Sequence, residues 1–200
     1  MKQGIAYAHS PEKRALDITV ASAMLLPAGV GLLTVKLALR HGPDSAIFRQ
    51  TRTGANEEDF EILKLHTLRA DKPLFGWAER LRTSRLDETP QAINILKGQM
   101  GACGHRPMPR AEHATLMTPG VLPDDLRKDY ATMIAHERPG WFSPYSLERY
   151  AANVQGTDIS HERIESEVGN FYDATLLTDM QSLCKFGTIA IARLFEEETI

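Results

Sequence analysis

Apolar residues are spread very unevenly along this chain. Residues 1–14 are polar and end in Lys13-Arg14. After Ala15-Leu16-Asp17 comes an uncharged run from Ile18 to Val35. Eighteen residues at ~1.5 Å of helical rise make about 27 Å, close to the ~30 Å hydrocarbon core of a bilayer. Pro27 sits inside the run and Gly29 and Gly31 follow it. Proline removes a helix hydrogen bond and crowds the preceding turn, so the pattern predicts a helix that kinks or breaks near Pro27. Lys13 and Arg14 lie before the run, Lys36 and Arg40 after it. Basic flanks mark the cytoplasmic side. Both ends are therefore expected on one face, as in a broken, re-entrant membrane helix. A buried helix of a soluble domain would show the same apolar run. So would a secretory signal, although no small-residue cleavage site follows.

Past the turn cluster His41-Gly42-Pro43-Asp44-Ser45 the period changes to two. Ile47 to Gly54 reads as a strand, and Phe60-Glu61-Ile62-Leu63-Lys64-Leu65 alternates apolar and charged residues. Together they predict a hairpin carrying Arg49, Arg52 and Lys64. Residues 66–78 read as irregular, with a turn at Asp71-Lys72-Pro73, and Ala78 to Arg85 as a short basic helix. Helical spacing returns at Ala92, Ile93, Ile95 and Leu96, with Gly98 as a stop. A helix is expected from Pro123 to His136 and a sharp turn at Arg138-Pro139-Gly140-Trp141-Phe142. A further helix should run from Ile159 to Leu183, softly broken at Gly169. The last apolar run, Leu176 to Ala190, is amphipathic; it packs on the core or rests on a bilayer. The terminal Glu196-Glu197-Glu198 would point away from anionic lipid. The fold class is α/β: mainly α with a small β-hairpin or sheet, a membrane segment over residues 1–40 and a cytoplasmic domain over residues 41–200.

Composition narrows the chemistry. The 200 residues carry a formal net charge of -3, which gives no support to nucleic-acid binding as the main function. Basic residues cluster only locally, around 36–52 and 80–85. Cys103 and Cys184 have no metal-ligand spacing and read as free thiols in a reducing compartment. Cys103-Gly104-His105 is too short a cluster for a metal site. His161-Glu162 lacks the second His of a zincin.

The stretch with chemical potential is Arg82-Thr83-Ser84-Arg85-Leu86-Asp87-Glu88-Thr89-Pro90-Gln91. Two adjacent carboxylates precede a proline that can occupy a first helical turn. Asp87 or Thr89 can serve as N-cap. A helix start favours carboxylates and also binds phosphate. Taken alone, an Asp-Glu pair before Pro is an ordinary capped helix start.

The order of motifs carries more. Phe48-Arg49-Gln50-x-Arg52-x-Gly54 follows the basic-flanked apolar helix, then come Phe60 and Lys64. Arg85-Leu86-Asp87-Glu88-x-Pro90-Gln91, Asn94-x-Leu96-x-Gly98-x-Met100, Gly104-x-Arg106-Pro107 and finally Pro139-Gly140 complete the series. This order resembles the bacterial sugar transferase family, the monotopic phosphoglycosyl transferases that start exopolysaccharide and O-antigen synthesis. The resemblance is dense between 47 and 107 and thin beyond Gly140. The chain departs from the family pattern at His66, Thr89, Gln99, Gly101, His105 and Trp141-Phe142-Ser143.

The resemblance implies a membrane-bound enzyme of the bacterial inner membrane, active on its cytoplasmic face. Its substrates would be a nucleotide-diphosphate sugar and polyprenol (undecaprenyl) phosphate, and a homodimer would be compatible with it. Asp87 is the expected nucleophile, forming a phospho-Asp intermediate. Mg²⁺ would be touched by Asp87 or Glu88, and Glu88 is alternatively a base for the incoming lipid phosphate. Arg49, Arg52, Lys64, Arg85, Arg106 and Pro107 are the candidates for phosphate contact. The departures motivate a second expectation: a non-catalytic membrane adaptor of polysaccharide synthesis derived from that family.

Overall fold

A short helix, α1 (Lys2–Ala8), precedes the long apolar helix α2 (Pro11–Ala38) in the computed structural model, which describes residues 2–39, 45–69, 72–73, 75–152 and 160–195. The turn cluster at 41–44, the flank at Arg40 and the acidic end at 196–198 lie outside the described residues. Ser10 starts α2, its hydroxyl accepting from the Lys13 amide at 3.1 Å, with Pro11 in the first turn. The expected break at Pro27 is not there, for α2 is helical through all 28 residues. Proline deletes a single intrahelical bond, and packing on either side of it carries the helix across. Ala21 and Met24 pack with Phe60, Ile62, Ala92, Ile95 and Met100, and Val35 packs with Ala46 and Leu65. Both halves of α2 thus rest on one globular body. Leu25, Leu26, Val30, Leu33 and Leu37 remain exposed.

The N-terminal basic flank is bonded to the rest of the protein. Lys13 is 6 % exposed. Its ammonium bonds Asp17 at 3.1 Å, Asp179 at 2.8 Å and the Cys103 carbonyl at 2.8 Å. Arg14 donates to the carbonyls of Ile95 and Leu96 at 2.7 and 2.9 Å.

The expected hairpin forms from β1 (Ile47–Thr53) and β2 (Asp59–Leu65), antiparallel, with Phe48 opposite Lys64 and Arg52 opposite Phe60. Side chains alternate across a strand. Arg52, Ile62 and Lys64 therefore share one face, and Arg49, Glu61 and Leu63 share the other. A second, smaller antiparallel pair, β3 (Leu68–Arg69) with β4 (Lys72–Pro73), stands where irregular chain was expected. Next come α3 (Ala78–Thr83), a 3-10 turn at Leu86–Glu88, α4 (Gln91–Leu96) and β5 (Gly101–Cys103).

Helices α5 (Arg110–Met117) and α6 (Asp124–His136) lead to β6 (Gly140–Phe142). The expected sharp turn at 138–142 is in fact this strand, paired parallel to β5. The crossing is made by two glycines. A Cβ on Gly104 would lie 2.4 Å from the Arg138 carbonyl oxygen, and one on Gly140 would lie 2.2 Å from the Gly104 nitrogen. Only a residue without a side chain permits that approach. Then follow α7 (Pro144–Ala151), α8 (His161–Asp173) and α9 (Leu176–Phe195). Helix α8 runs unbroken through Gly169. The break falls instead between α8 and α9, where Thr175 and Thr178 each accept the other's amide at 3.1 and 2.9 Å.

Two cores result. Tyr130, Met133 and Ile134 of α6 pack with Leu116 of α5 and Ile164, Val168 and Phe171 of α8. Phe186 of α9 stacks on Phe142, with Trp141, Tyr150 and Leu183 around them. The other side of α9 leaves Leu177, Met180 and Ile191 exposed.

Candidate active site

Arg85 adopts a left-handed conformation (φ 57°), uncommon for a residue with a side chain. It reverses the chain after α3 and starts the 3-10 turn on which Asp87 and Glu88 sit. Helix α4 begins later, at Gln91, with no side-chain cap. Neither Asp87 nor Thr89 caps it, contrary to expectation, because Thr89 turns its hydroxyl to the Leu86 carbonyl at 2.7 Å. At the other end Gly98 stops α4 as expected, with φ 79°. Arg14 holds the last carbonyls of that end. Asn94 pins α4 to β2, accepting from Leu63 N at 3.2 Å and donating to Glu61 O at 2.7 Å. The carboxylate turn is thereby fixed relative to both the hairpin and the apolar helix.

The two carboxylates sit in different fields. Glu88 receives Lys64 at 2.7 Å and Arg85 at 3.3 Å. Burial alone would raise its carboxyl, but these two cations outweigh burial and hold it below the usual carboxylate range. Asp87 is 9 % exposed, and no described residue bonds its carboxylate. Burial first, and the Glu88 charge second, push it up to about 7.

Cations converge around Glu88. The Thr53 amide bonds the Met108 carbonyl at 2.8 Å, which joins the end of β1 to the 104–108 segment. Arg52 and Arg106 become neighbours as a result. Both are half-buried and both are held below the usual arginine range, by burial foremost and, for Arg52, by the charge of Arg106. No described carboxylate pairs with either guanidinium. A half-open cavity lies between them, lined by Arg52, Lys64, Arg85, Glu88, Gln91, Arg106 and Pro107, with Trp141 and Ser143 from the β6 side. Buried guanidinium groups lacking a carboxylate partner are what a polyanionic ligand meets best.

Of the residues singled out from sequence, Arg52, Lys64, Arg85, Glu88, Arg106 and Pro107 meet at this cavity. Asp87 lies beside it, on the same turn but outside the lining. Arg49 is on the opposite face of the hairpin, ion-paired to Glu61 at 3.1 Å. His66 also stands apart, its ring on the Ser45 carbonyl at 2.9 Å. Among the described residues no three His, Cys, Asp or Glu side chains converge as a metal shell. Ser143, Glu137 and Glu167 support the site and had no local signal. Each lies in a segment whose pattern predicts only turn or helix surface.

A paired-carboxylate turn and a basic cavity beside it are carried on the same body as a long, largely exposed apolar helix. The chain matches the bacterial sugar transferase family over residues 8–192 and belongs to it. It is 38 % identical over 187 residues to the UDP-glucose:undecaprenyl-phosphate glucose-1-phosphate transferase of Caulobacter vibrioides, covering 84 % of this chain and 66 % of that protein. It is 29 % identical over 195 residues to the exopolysaccharide production protein PSS of Rhizobium leguminosarum bv. phaseoli, covering 88 % of this chain and 92 % of that one. Against the UDP-glucose:undecaprenyl-phosphate glucose-1-phosphate transferase of Escherichia coli it is 34 % identical over 109 residues, 48 % of this chain and 24 % of that protein. The chain thus spans just under two thirds of the Caulobacter protein and about a quarter of the E. coli one.

Proposed function

We propose that this protein moves a sugar 1-phosphate from a nucleotide-diphosphate sugar to polyprenol phosphate, at the cytoplasmic face of the bacterial inner membrane. The observation that carries this reading is the asymmetric carboxylate pair beside a cluster of cations. An Asp87 oxygen attacks the sugar-bearing phosphorus. The bond from that phosphorus to the bridging oxygen breaks, and the nucleoside monophosphate leaves with the electron pair. A phosphate oxygen of the lipid then attacks the same phosphorus, the bond to Asp87 breaks, and the carboxylate returns. Asp87 suits the first step because it is desolvated and no side-chain cation among the described residues bonds it. Arg52, Arg106, Lys64 and Arg85 neutralise the diphosphate and orient it.

Mg²⁺ fits a site of this composition. It would bind through one or two carboxylates and complete its shell with substrate phosphates and water, with Asp87 or Glu88 supplying the carboxylate. When bound, it offsets diphosphate charge. The exposed apolar strip of α2 supports membrane association and would keep the cavity at headgroup depth, where the lipid phosphate lies.

The test is release of nucleoside monophosphate from a panel of uridine-diphosphate sugars, with Mg²⁺ and polyprenol phosphate. Release is expected in the unaltered protein and lost in Asp87→Asn. A non-catalytic adaptor would instead leave cellular function intact in Asp87→Asn. The retained basic cavity favours the enzyme.

A further inference from the structure

Two buried carboxylates, one just past α6 and one on α8, hold the consecutive backbone amides of His105 and Arg106. Glu137, just past α6, accepts the His105 amide at 2.8 Å and the His105 ring nitrogen Nδ1 at 2.9 Å, both on Oε2. Glu167 of α8 accepts the Arg106 amide at 3.3 Å, the Ser143 hydroxyl at 3.3 Å and Arg163 Nε at 3.4 Å, all on Oε1. Glu137 is 7 % exposed, Glu167 2 % and His105 2 %. Burying a carboxylate is costly unless its bonds repay the desolvation, so apolar residues at 137 and 167 would be the cheaper choice for packing alone. What these acids do instead is fix the main chain that bears Arg106. No described carboxylate holds the Arg106 guanidinium, so the backbone sets its direction. That backbone is held at every point: Gly104 against Gly140, the His105 carbonyl accepting from Gly140 N at 2.9 Å, the two amides on the two carboxylates, and Met108 on Thr53.

We propose that Glu137 and Glu167 are positioning residues that aim Arg106, and through Glu167 also Ser143, into the cavity beside Glu88. This rests on the reading of that cavity as the diphosphate site. Neither acid touches the ligand. Each acts through the amide it holds.

A double-mutant cycle separates this role from general stabilisation. Glu167→Ala should raise KM for the nucleotide sugar about tenfold with a smaller change in kcat, since displacement of a binding group by under an ångström is costly. Glu167→Gln keeps an acceptor oxygen and should stay within about threefold of wild type. In an Arg106→Ala background, Glu167→Ala should cost less than about twofold, because only the neutral Ser143 hydroxyl then remains to be aimed. The same cycle with Glu137→Ala gives an independent reading if Glu167→Ala unfolds, as followed by thermal melting in detergent. Equal fold losses in both backgrounds for a folded variant overturn the proposal. Wild-type protein that neither releases nucleoside monophosphate nor binds uridine diphosphate by calorimetry overturns the diphosphate-site reading and this inference with it. Wild-type turnover with an additive cycle overturns this inference alone.

Discussion

Lys64 lies 2.7 Å from Glu88, while Asp87, one residue earlier on the same turn, has no cation at bonding distance among the described residues. Adjacent carboxylates would otherwise be near equivalents. Lys64, together with Arg85, divides them into an ionised, anchored glutamate and a buried aspartate with its basicity intact. Environments that push neighbouring carboxyls apart mark acid–base or nucleophilic division of labour.

Asp87 must be ionised to attack phosphorus, and its carboxyl is pushed up to about 7. Below that value the protonated form dominates and is inert. Nucleoside monophosphate release, measured as kcat/KM in the absence of any other titrating step, is expected to climb about tenfold per pH unit below neutrality and to level off above it. A profile already flat from pH 5 upward would remove Asp87 as the nucleophile or show that its carboxyl is not raised.

The same shift bears on stability. A folded-state value above the unfolded one means that the native state binds the proton more tightly. This contribution is complete below the unfolded value and disappears as pH rises through about 7. Asp87→Asn removes the buried charge. It should melt higher than wild type at pH 8, by roughly 1–3 kcal/mol, and differ little at pH 5. Equal melting of the two proteins at pH 8 would contradict the burial argument.

The hairpin's two faces predict opposite outcomes for two arginines. Arg49 is paired with Glu61 in an exposed ion pair, worth little. Arg49→Ala is expected to leave kcat/KM within about threefold of wild type, whereas Arg52→Ala should lose at least about tenfold. Steady-state kinetics on the two variants decide this, and a larger loss at position 49 would place the substrate on the other face.

Lys13 is the only described cation between Asp17 and Asp179, and it is buried with them. Lys13→Met leaves those carboxylates unpaired in the interior. Thermal or denaturant unfolding should show a loss of roughly 3–5 kcal/mol. A loss under about 1 kcal/mol would mean that the three charges are solvated in solution.

Leu26 is 77 % exposed and Leu33 61 %, on the stretch of α2 expected in lipid. Placing lysine at both, Leu26→Lys with Leu33→Lys, should cost ~2.5–3.5 kcal/mol apiece if they reach the bilayer centre. The double variant is expected to leave the membrane pellet. Retention there after alkaline washing would show that these positions do not meet lipid.

Local order was legible from sequence wherever it rests on neighbouring residues. The apolar run, the alternation that builds β1 and β2, the faces this gives Arg52 and Lys64, and the Gly98 stop all follow from periods of 3.6 and 2 and from backbone freedom. The cavity residues Arg52, Lys64, Arg85, Glu88 and Arg106 were also visible, as members of an ordered motif series. Less legible was what Pro27 does. One absent hydrogen bond can end a helix or be carried across it, and contacts of Ala21, Met24 and Val35 with residues far along the chain decide which.

Tertiary structure alone decided the partners of the charges. A sequence shows that Lys13 and Arg14 are cationic but not that one is buried against Asp179 and the other closes the end of α4. It shows two acids at 87 and 88 but not which receives Lys64. It gives no hint that Glu137 and Glu167 hold the amides beside Arg106, or that Gly104 and Gly140 let two short parallel strands touch. The reason is physical: periodicity is a property of successive residues. Desolvation and Coulomb energy depend instead on which distant groups the fold brings within a few ångströms, and on how much water it leaves between them.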